Sequence, residues 1–257
     1  MIEKYLETDY GKIYYYLKGE GKPLVFLHGW GQSSETFSKI ISIFEDNFLI
    51  LGIDLPGFGK SDEPKYPLTL EDYVQAVCQI IGKAKITDPV IIGHSFGGRI
   101  AIRLANKMPL AALILVSSAG IRKFDIKRLF KIYAYKIKKN FYRIFDDEKY
   151  QQLIKTSGSR DYRNASPVMK RTLSKIISQD LRKDLKKITV RTYLLWGIHD
   201  QETPFQDAIL METLLQDAVL IPFYESGHFC YLDEERKFIK TIQKILFEDN
   251  LWKQSKT

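Results

Sequence analysis

Short apolar runs alternate with segments of helical periodicity along most of the chain. Seven runs rich in Val, Ile, Leu and aromatic residues predict strands: Ile13–Tyr16, Leu24–Leu27, Phe48–Ile53, Val90–Ile92, Leu113–Val116, Tyr193–Trp196 and Val219–Tyr224. Between several of them lie helix-compatible segments such as Thr69–Lys83 and Arg99–Lys107. This alternation predicts an α/β fold, in which a mostly parallel sheet is covered by helices on both faces and binds ligands at the carboxyl ends of its strands.

From about residue 120 to residue 188 the strand signal disappears. Apolar side chains fall there at spacings of three and four, which is typical of amphipathic helices. One stretch holds Ile126, Leu129, Phe130, Tyr133, Ile137, Phe141 and Ile144, and a second runs from Pro167 through Met169, Leu173, Ile176 and Ile177 to Leu181. We therefore predict a helical insertion over residues 120–188, within a core formed by residues 1–119 and 189–257.

The predicted insertion also differs from the core in charge. Residues 121–190 contain 20 Lys and Arg against 7 Asp and Glu, whereas the rest of the chain contains 19 and 24. The basic, aromatic segment Lys127–Lys136 has three interpretations: a solvated amphipathic helix whose aromatic side chains face a pocket, peripheral contact with a membrane surface or lipid, or steering of a soluble carboxylate. No nucleic-acid-binding motif accompanies the charge, so we expect no nucleic-acid partner.

The chemistry of the chain is suggested first by the end of the run Val90–Ile92, which continues as Gly93-His94-Ser95-Phe96-Gly97-Gly98. A strand that turns sharply into a helix strains the backbone of its corner residue, and glycines on either side allow strand and helix to approach. The pattern predicts a nucleophile elbow, with the Ser95 hydroxyl at the carboxyl end of the sheet. The alternative is a glycine-rich connection with an idle serine.

A serine nucleophile needs a base, usually a histidine held by a carboxylate. The chain has four histidines: His28, His94, His199 and His228. His94 adjoins Ser95, so its side chain should point away, and only His228 combines a late position with a loop after a strand. Ser95, Asp200 and His228 follow in the required chain order. Taken separately, Asp200 could cap a helix that begins near Pro204, and His228 could be a solvated loop residue.

The transition state of acyl transfer also needs donors for its oxyanion. We expect the backbone N–H of Phe96, the residue after the nucleophile, to be one of them. The second is the N–H of Trp30, because the flanking Gly29 and Gly31 allow the backbone to turn its amide inward. The Trp30 indole is also a candidate wall of the substrate pocket.

Five motifs together resemble the α/β-hydrolase fold superfamily over nearly the whole chain. They are His28-Gly29-Trp30, Asp54–Ser61, Gly93–Gly98, Trp196–Asp200 and Gly227-His228-Phe229. The resemblance implies that Ser95 is the nucleophile, that His228 is the general base and then acid, and that Asp200 orients His228. It also implies that the loop Asp54–Ser61 supports the site and that the helical insertion forms a cap over it.

The fold alone does not choose the reaction. A serine at the elbow excludes the dehalogenases and epoxide hydrolases of this superfamily, which use an aspartate there. We expect a serine hydrolase that cleaves a carboxylic ester or lactone through an acyl-enzyme, with no metal or organic cofactor. Two alternatives stay open: a C–C bond hydrolase or lyase that acts on an anionic keto acid, and a small-molecule receptor with slow turnover.

Candidate substrate-binding residues are Trp30, Phe229 and Arg99. Arg99 lies four residues after Ser95, near the same face of the elbow helix, and its planar guanidinium suits an anionic group. A structural ion pair is the alternative role for Arg99. The reaction on an anionic keto acid requires that Arg99, or a cap arginine such as Arg122, face the pocket.

Length and composition narrow the class of protein. The 257 residues suffice for one large domain with an insertion, and Cys78 and Cys230 form no disulfide or metal pattern. The N-terminal residues show no signal-peptide pattern. The longest apolar run, Leu110–Val116, is far shorter than the ~20 residues of a membrane span. We therefore expect a cytoplasmic protein without stable membrane insertion.

Overall fold

The computed structural model describes residues 1–122, 135, 137–143, 145–156 and 160–248. Most of the basic segment Lys127–Lys136 lies outside the described residues, as do the predicted helical positions 126–133 and 144. The three interpretations of that segment therefore stay predictions.

An eight-stranded sheet forms the centre of the molecule. Its strands are β1 (Ile2–Thr8), β2 (Gly11–Lys18), β3 (Lys22–Leu27), β4 (Phe48–Ile53), β5 (Val90–His94), β6 (Ala112–Val116), β7 (Thr192–Gly197) and β8 (Ala218–Phe223). Their order is β1-β2-β4-β3-β5-β6-β7-β8; β2 pairs antiparallel with β1 and β4, and the other neighbours are parallel. The α/β fold is confirmed, and each predicted strand is present. Strand β1 was not predicted, because its side chains are mostly exposed and form no apolar run.

Helices connect most of the parallel strands. Those described are α1 (Ser38–Phe44), α2 (Leu70–Lys83), α3 (Phe96–Leu104), α4 (Asp147–Thr156), α5 (Arg160–Asn164), α6 (Pro167–Ile177), α7 (Arg182–Leu185), α8 (Phe205–Leu214), α9 (Cys230–Asp233) and α10 (Glu235–Glu248). Helix α2 begins one residue after the predicted start, because Thr69 and Asp72 form a capping box there. Helix α3 begins at Phe96, three residues before the predicted start, directly after the strand turns.

Two apolar layers cover the two faces of the sheet. Successive strand residues point to opposite faces, so Val25 packs in the layer under α2 and α3 whereas Phe26 packs in the layer under α1 and α10. The central strands are buried on both faces and therefore consist of continuous apolar runs. This burial holds the carboxyl ends of the strands in fixed positions.

The regular elements described between β6 and β7 are helices, but they differ in burial. Met169 and Ile176 of α6 are buried, and Ile176 shares an apolar cluster with α2 and α3. By contrast, Ile137, Phe141 and Phe145 are 57%, 55% and 70% exposed. The division of the chain at residues 120 and 188 stays a prediction. Among the described residues, no helix is long and apolar enough to span a membrane.

Candidate active site

Four loops meet at the carboxyl edge of the parallel part of the sheet. Trp30 lies in the loop after β3, Ser95 directly follows β5, Asp200 follows β7 and His228 follows β8. Because parallel strands end at the same edge, residues far apart in sequence lie close together there. The edge is the location that the sequence predicted for these residues.

Ser95 occupies a strained backbone position between β5 and α3. Its φ is +49° and its ψ is −107°, a conformation that side-chain-bearing residues rarely adopt. The Ser95 N–H donates to Val116 O (3.0 Å), and the N–H of Ala119 donates to Ser95 O (3.0 Å). These bonds to the end of β6 and the residues after it hold the elbow against the neighbouring strand. The Ser95 side chain is half-buried.

Glycines beside Ser95 are required by close approach of the backbone. A Cβ on Gly97 would overlap Leu27 O at the end of β3, and one on Gly98 would overlap the Ser118 side chain. A Cβ on Gly93 would lie 2.7 Å from Gly97 O. Any larger residue would push α3 away from the strands, so the glycines place the start of α3 directly over the sheet edge.

Asp200 and His228 form a buried pair. Asp200 Oδ2 lies 2.9 Å from His228 Nδ1, and both side chains are nearly inaccessible. The carboxylate also accepts the backbone N–H groups of Glu202 and Thr203 at Oδ1 (2.9 Å each), and the Thr203 hydroxyl lies 2.8 Å from Oδ2. Burial acts to raise the pKa of Asp200, but the bonds from His228 and Thr203 outweigh it and hold that pKa below its usual value. Asp200 therefore stays ionised and fixes the orientation of the imidazole.

The sequence left a second role open for Asp200, as the cap of a helix that begins near Pro204. The N-cap residue of α8 is Pro204, so Asp200 does not cap that helix. Its carboxylate instead accepts N–H groups two and three residues ahead, as in an Asx turn, and bonds His228 as well. One side chain thus stabilises the loop and orients the histidine.

His94 points away from Ser95, as expected, and supports the loop of His228. Its Nε2 donates to the carbonyl oxygen of His228 (3.1 Å), and its Nδ1 lies 3.0 Å from the Gln32 side chain. Burial lowers the pKa of His94 to about 3, so this ring stays neutral. Sequence reasoning gave His94 no role, because only the folded chain brings residues 94 and 228 together.

His28 links the loops after β3 and β4. Its Nδ1 donates to Gly29 O (2.8 Å), and its Nε2 accepts the N–H of Leu55 (3.0 Å). Burial lowers the pKa of His28 to about 4. This neutral ring is a structural bridge beside the loop that carries Trp30.

Aromatic side chains surround the Ser95 elbow. The Trp30 ring packs edge-on against Phe58 and Phe96, with centroids 4.8 and 5.4 Å apart. Phe58 belongs to the loop Asp54–Ser61, which thereby supports Trp30. Phe229 is half-buried and lies beside the His228 ring, with centroids 5.2 Å apart. In the described part of the chain, the backbone N–H groups of Trp30 and Phe96 have no protein acceptor.

The other ring nitrogen of His228 does not bond Ser95. His228 Nε2 lies 3.3 Å from Oε2 of Glu202, whose side chain is 63% exposed. Among the described residues the Ser95 hydroxyl makes no hydrogen bond. No sequence signal pointed to Glu202, because its contact depends on how its side chain folds back over the turn.

The structure does not place the candidate arginines, Arg99 and Arg122, beside Ser95 and His228. The Arg99 guanidinium is buried between α3 and α6, where it donates to Ile176 O (3.3 Å) and Gln179 O (3.1 Å). Arg122 donates to Ser178 O (3.0 Å) on the surface. Arg99 therefore joins the elbow helix to the end of α6, in contacts with carbonyl groups rather than in the expected ion pair or at a substrate pocket.

Cys230 belongs to no candidate metal centre among the described residues. Cys230 is buried, and burial raises the pKa of its thiol. Within the part of the chain that the structure describes, no cluster of three His, Cys, Asp or Glu side chains is arranged to hold a metal ion.

Comparisons with known proteins agree with the fold. Residues 24–241 match the profile of the alpha/beta hydrolase family. The AB hydrolase superfamily protein YisY of Bacillus subtilis is 30% identical over 88% of this chain and 92% of that protein. The pimeloyl-[acyl-carrier protein] methyl ester esterase of Proteus mirabilis is 27% identical over 91% and 96% of the two chains. An esterase from Exiguobacterium antarcticum superimposes with a TM-score of 0.75 at 26% identity, covering 95% of this chain and 99% of the other.

The chain belongs to the alpha/beta hydrolase family. It is a hydrolase, and esterases are among the proteins that it resembles in both sequence and structure.

Proposed function

We propose that the protein is a serine hydrolase that cleaves carboxylic esters with Ser95, His228 and Asp200. The observation that carries this proposal is the strained Ser95 elbow at the same sheet edge as a histidine held by a buried aspartate. Strain of this kind persists only where the surrounding structure imposes it, and it is concentrated at functional sites.

The reaction proceeds through an acyl-enzyme. His228 Nε2 takes the proton of the Ser95 hydroxyl while Oγ attacks the ester carbonyl, and the backbone N–H groups of Trp30 and Phe96 stabilise the oxyanion. His228 then gives its proton to the departing alkoxide as the C–O bond breaks. In the second half, His228 takes a proton from water as the water oxygen attacks the acyl carbon. The bond between that carbon and Ser95 Oγ then breaks, His228 returns its proton to Oγ, and the carboxylic acid leaves. Asp200 stabilises the imidazolium in both halves.

The surroundings of Ser95 favour an apolar acyl group. Trp30, Phe58 and Phe229 provide aromatic surfaces beside the elbow, and their partial exposure leaves them available for contact with substrate. The ester or lactone cleaved by this chain is therefore proposed to carry a hydrocarbon acyl portion. The relatives named as methyl ester esterases are consistent with this class.

The placement of Arg99 and Arg122, the two candidate arginines that the structure describes, favours an ester over an anionic keto acid. A C–C hydrolase or lyase acting on a carboxylate-bearing substrate needs a cation beside the reacting atoms. Arg99 and Arg122 donate to carbonyl groups elsewhere, so neither supplies that cation. The turnover number distinguishes an enzyme from a small-molecule receptor, because a receptor turns over far below the enzyme median of ~10 per second.

Hydrolysis of p-nitrophenyl esters with acyl chains of two to twelve carbons tests the proposal. We expect turnover by the protein and its loss in Ser95→Ala, with Ser42→Ala as the matched control, since Ser42 is an exposed serine whose hydroxyl bonds only its own helix. The acyl chain length that is hydrolysed fastest then indicates the length of the acyl pocket. A folded protein that hydrolyses none of these esters, or whose activity survives Ser95→Ala, would contradict the proposal.

A further inference from the structure

The side chain of Gln32 closes the turn that carries the Trp30 N–H. This turn spans residues 29–32: the Gln32 N–H donates to Gly29 O (3.3 Å), and the third residue, Gly31, has a φ of +73°. The Gln32 side chain folds back over the turn, and its Oε1 accepts the Gly29 N–H (3.0 Å). Both backbone polar groups of Gly29 therefore bond Gln32, whereas the Trp30 N–H has no protein acceptor among the described residues.

The amide of Gln32 also lies against residues beside the proposed nucleophile and base. Its Nε2 donates to the Tyr231 hydroxyl (3.1 Å), and Tyr231 is buried in α9, which follows the histidine loop. Its Oε1 lies 3.0 Å from Nδ1 of His94, the residue before Ser95. A reversed amide would turn an N–H toward the Gly29 N–H, so the turn fixes which way the amide faces. One side chain thus lies between the turn, the elbow and α9.

The packing around Gly29 brings the backbone within reach of this amide. A Cβ on Gly29 would lie 2.5 Å from Gln32 Oε1 and 2.8 Å from His94 Nδ1, so a larger residue would push the turn away from both. The carbonyl oxygen of Gly29 also accepts the Nδ1–H of His28 (2.8 Å). Loss of the Gln32 amide would therefore free the N–H of Gly29 while the bonds to its carbonyl oxygen stay in place, which loosens the turn without removing it.

We propose that Gln32 is a positioning residue that holds the turn so that the Trp30 N–H stabilises the oxyanion in the transition state. The inference rests on the proposed function for its effect on rate. An oxyanion forms only as Ser95 Oγ attacks the carbonyl, so a misplaced donor weakens the transition state and leaves binding of the ester unchanged. Gln32 therefore acts on kcat, through Trp30, rather than on KM.

Steady-state kinetics of Gln32→Met on the preferred p-nitrophenyl ester test the effect on rate. Methionine resembles glutamine in length but forms neither of the bonds that the amide makes. We expect kcat to fall by about tenfold to a hundredfold with KM within about twofold, because a loosened donor costs no more than a missing one. Gln75→Met, at an exposed position on α2 where the amide bonds Glu71 of the same helix, should leave kcat in place. An unchanged kcat in Gln32→Met, or a rise in KM alone, would overturn the inference.

Inhibition by an alkyl trifluoromethyl ketone separates an effect on the oxyanion from a general disturbance of the site. Ser95 Oγ bonds the carbonyl carbon of the ketone, the Ser95 proton passes to His228, and the carbonyl oxygen becomes an anion that resembles the transition state. We expect the inhibition constant of Gln32→Met to rise by about the factor by which kcat falls, since both depend on the same donor. A lower kcat with unchanged affinity for the ketone would overturn the inference.

Amide hydrogen exchange, followed by NMR in Ser95→Ala, tests the hold of Gln32 on the turn without turnover. Addition of Gln32→Met removes the acceptor of the Gly29 N–H, so we expect that group to exchange about tenfold faster, the size of one hydrogen bond. The Leu55 N–H, which donates to the neighbouring His28 ring, should keep its rate. A protein that hydrolyses no ester yet shows this change would contradict the proposed function alone. Unchanged exchange at Gly29, or equal acceleration at Leu55, would overturn the role of Gln32.

Discussion

The loops at the sheet edge and the helical segment between β6 and β7 are held in different ways. In the loops, buried polar groups have several fixed partners, as Asp200 does with His228, Glu202 and Thr203. In the helical segment, α6 is packed on the core, but Phe141 and Phe145 are more than half exposed. The difference shows that the loop residues are held by hydrogen bonds to fixed partners, whereas the segment between β6 and β7 is held where α6 packs on the core.

The largest expected effect comes from breaking the hydrogen-bond network of the loops. Asp200→Asn keeps an oxygen for the backbone N–H groups of Glu202 and Thr203, but its amide cannot accept the Nδ1–H of His228. We expect kcat on the preferred p-nitrophenyl ester to fall ~10⁴-fold, because the imidazole is no longer held in the right tautomer. Asp217→Asn, which alters an exposed pair with Arg191, is the matched control and should stay within about twofold of the parent. A loss below tenfold in Asp200→Asn would remove Asp200 from the proposed triad.

A second substitution removes the hydrogen bonds between the elbow helix α3 and the end of α6. Arg99→Met removes the donor of two carbonyl groups at the end of α6 and leaves them buried without that partner. We expect the free energy of unfolding in urea to fall by about 2–3 kcal/mol. Lys183→Met, at an exposed position on α7, should change it by less than about 0.5 kcal/mol. Equal stability of the two variants would show that the Arg99 contacts do not hold α6 to the core.

The buried histidines His28 and His94 make the stability of the folded chain depend on pH. The folded chain holds His28 and His94 at pKa values of about 4 and 3, far below the unfolded value of ~6.5. Below pH 6.5 the unfolded chain therefore binds protons that the folded chain does not, and stability falls as pH falls. Each ring contributes a slope of about 1 kcal/mol per pH unit in that window, and the loss is absent above it. Urea unfolding at pH 7.5 and pH 5.5 measures the slope, which His94→Gln should reduce; an unchanged slope would contradict this account of His94.

The smallest effect is expected in the exposed part of the helical segment. Phe141 is 55% exposed, and the aromatic rings that lie beside it among the described residues are those of its neighbours Tyr142 and Phe145. Phe141→Ser should therefore change the free energy of unfolding by less than about 0.5 kcal/mol. Leu173→Ser, on the buried face of α6, is the matched contrast and should cost several times more. A large loss in Phe141→Ser would show that this face is covered in solution.

Much of the fold follows from local sequence signals. The central strands are buried on both faces, so they appear as continuous apolar runs, and the start of α2 follows from Thr69 and Asp72. Strand β1 could not be predicted in this way, because it lies at the edge of the sheet and exposes most of its side chains. Its pairing is set by the long-range register with β2 rather than by its own pattern.

The residues of the candidate site also differ in whether local sequence signals predict them. Ser95, Asp200 and His228 could be placed from glycines, chain order and the strands before them. Arg99 could not, because the direction of its side chain depends on where α6 packs against α3. Glu202 and His94 were equally out of reach, since each contact joins loops that only the folded sheet brings together.

The order of the strands along the chain also has a consequence during biosynthesis. Ser95 follows β5, but His228 of the proposed triad follows β8, more than a hundred residues later. A nascent chain emerges from the ribosome N-terminal end first, and the parallel pairing of β6 with β7 closes a long loop of the polypeptide. A chain interrupted between residues 96 and 227 therefore carries Ser95 without His228, and cannot assemble the proposed triad however well its first strands have folded.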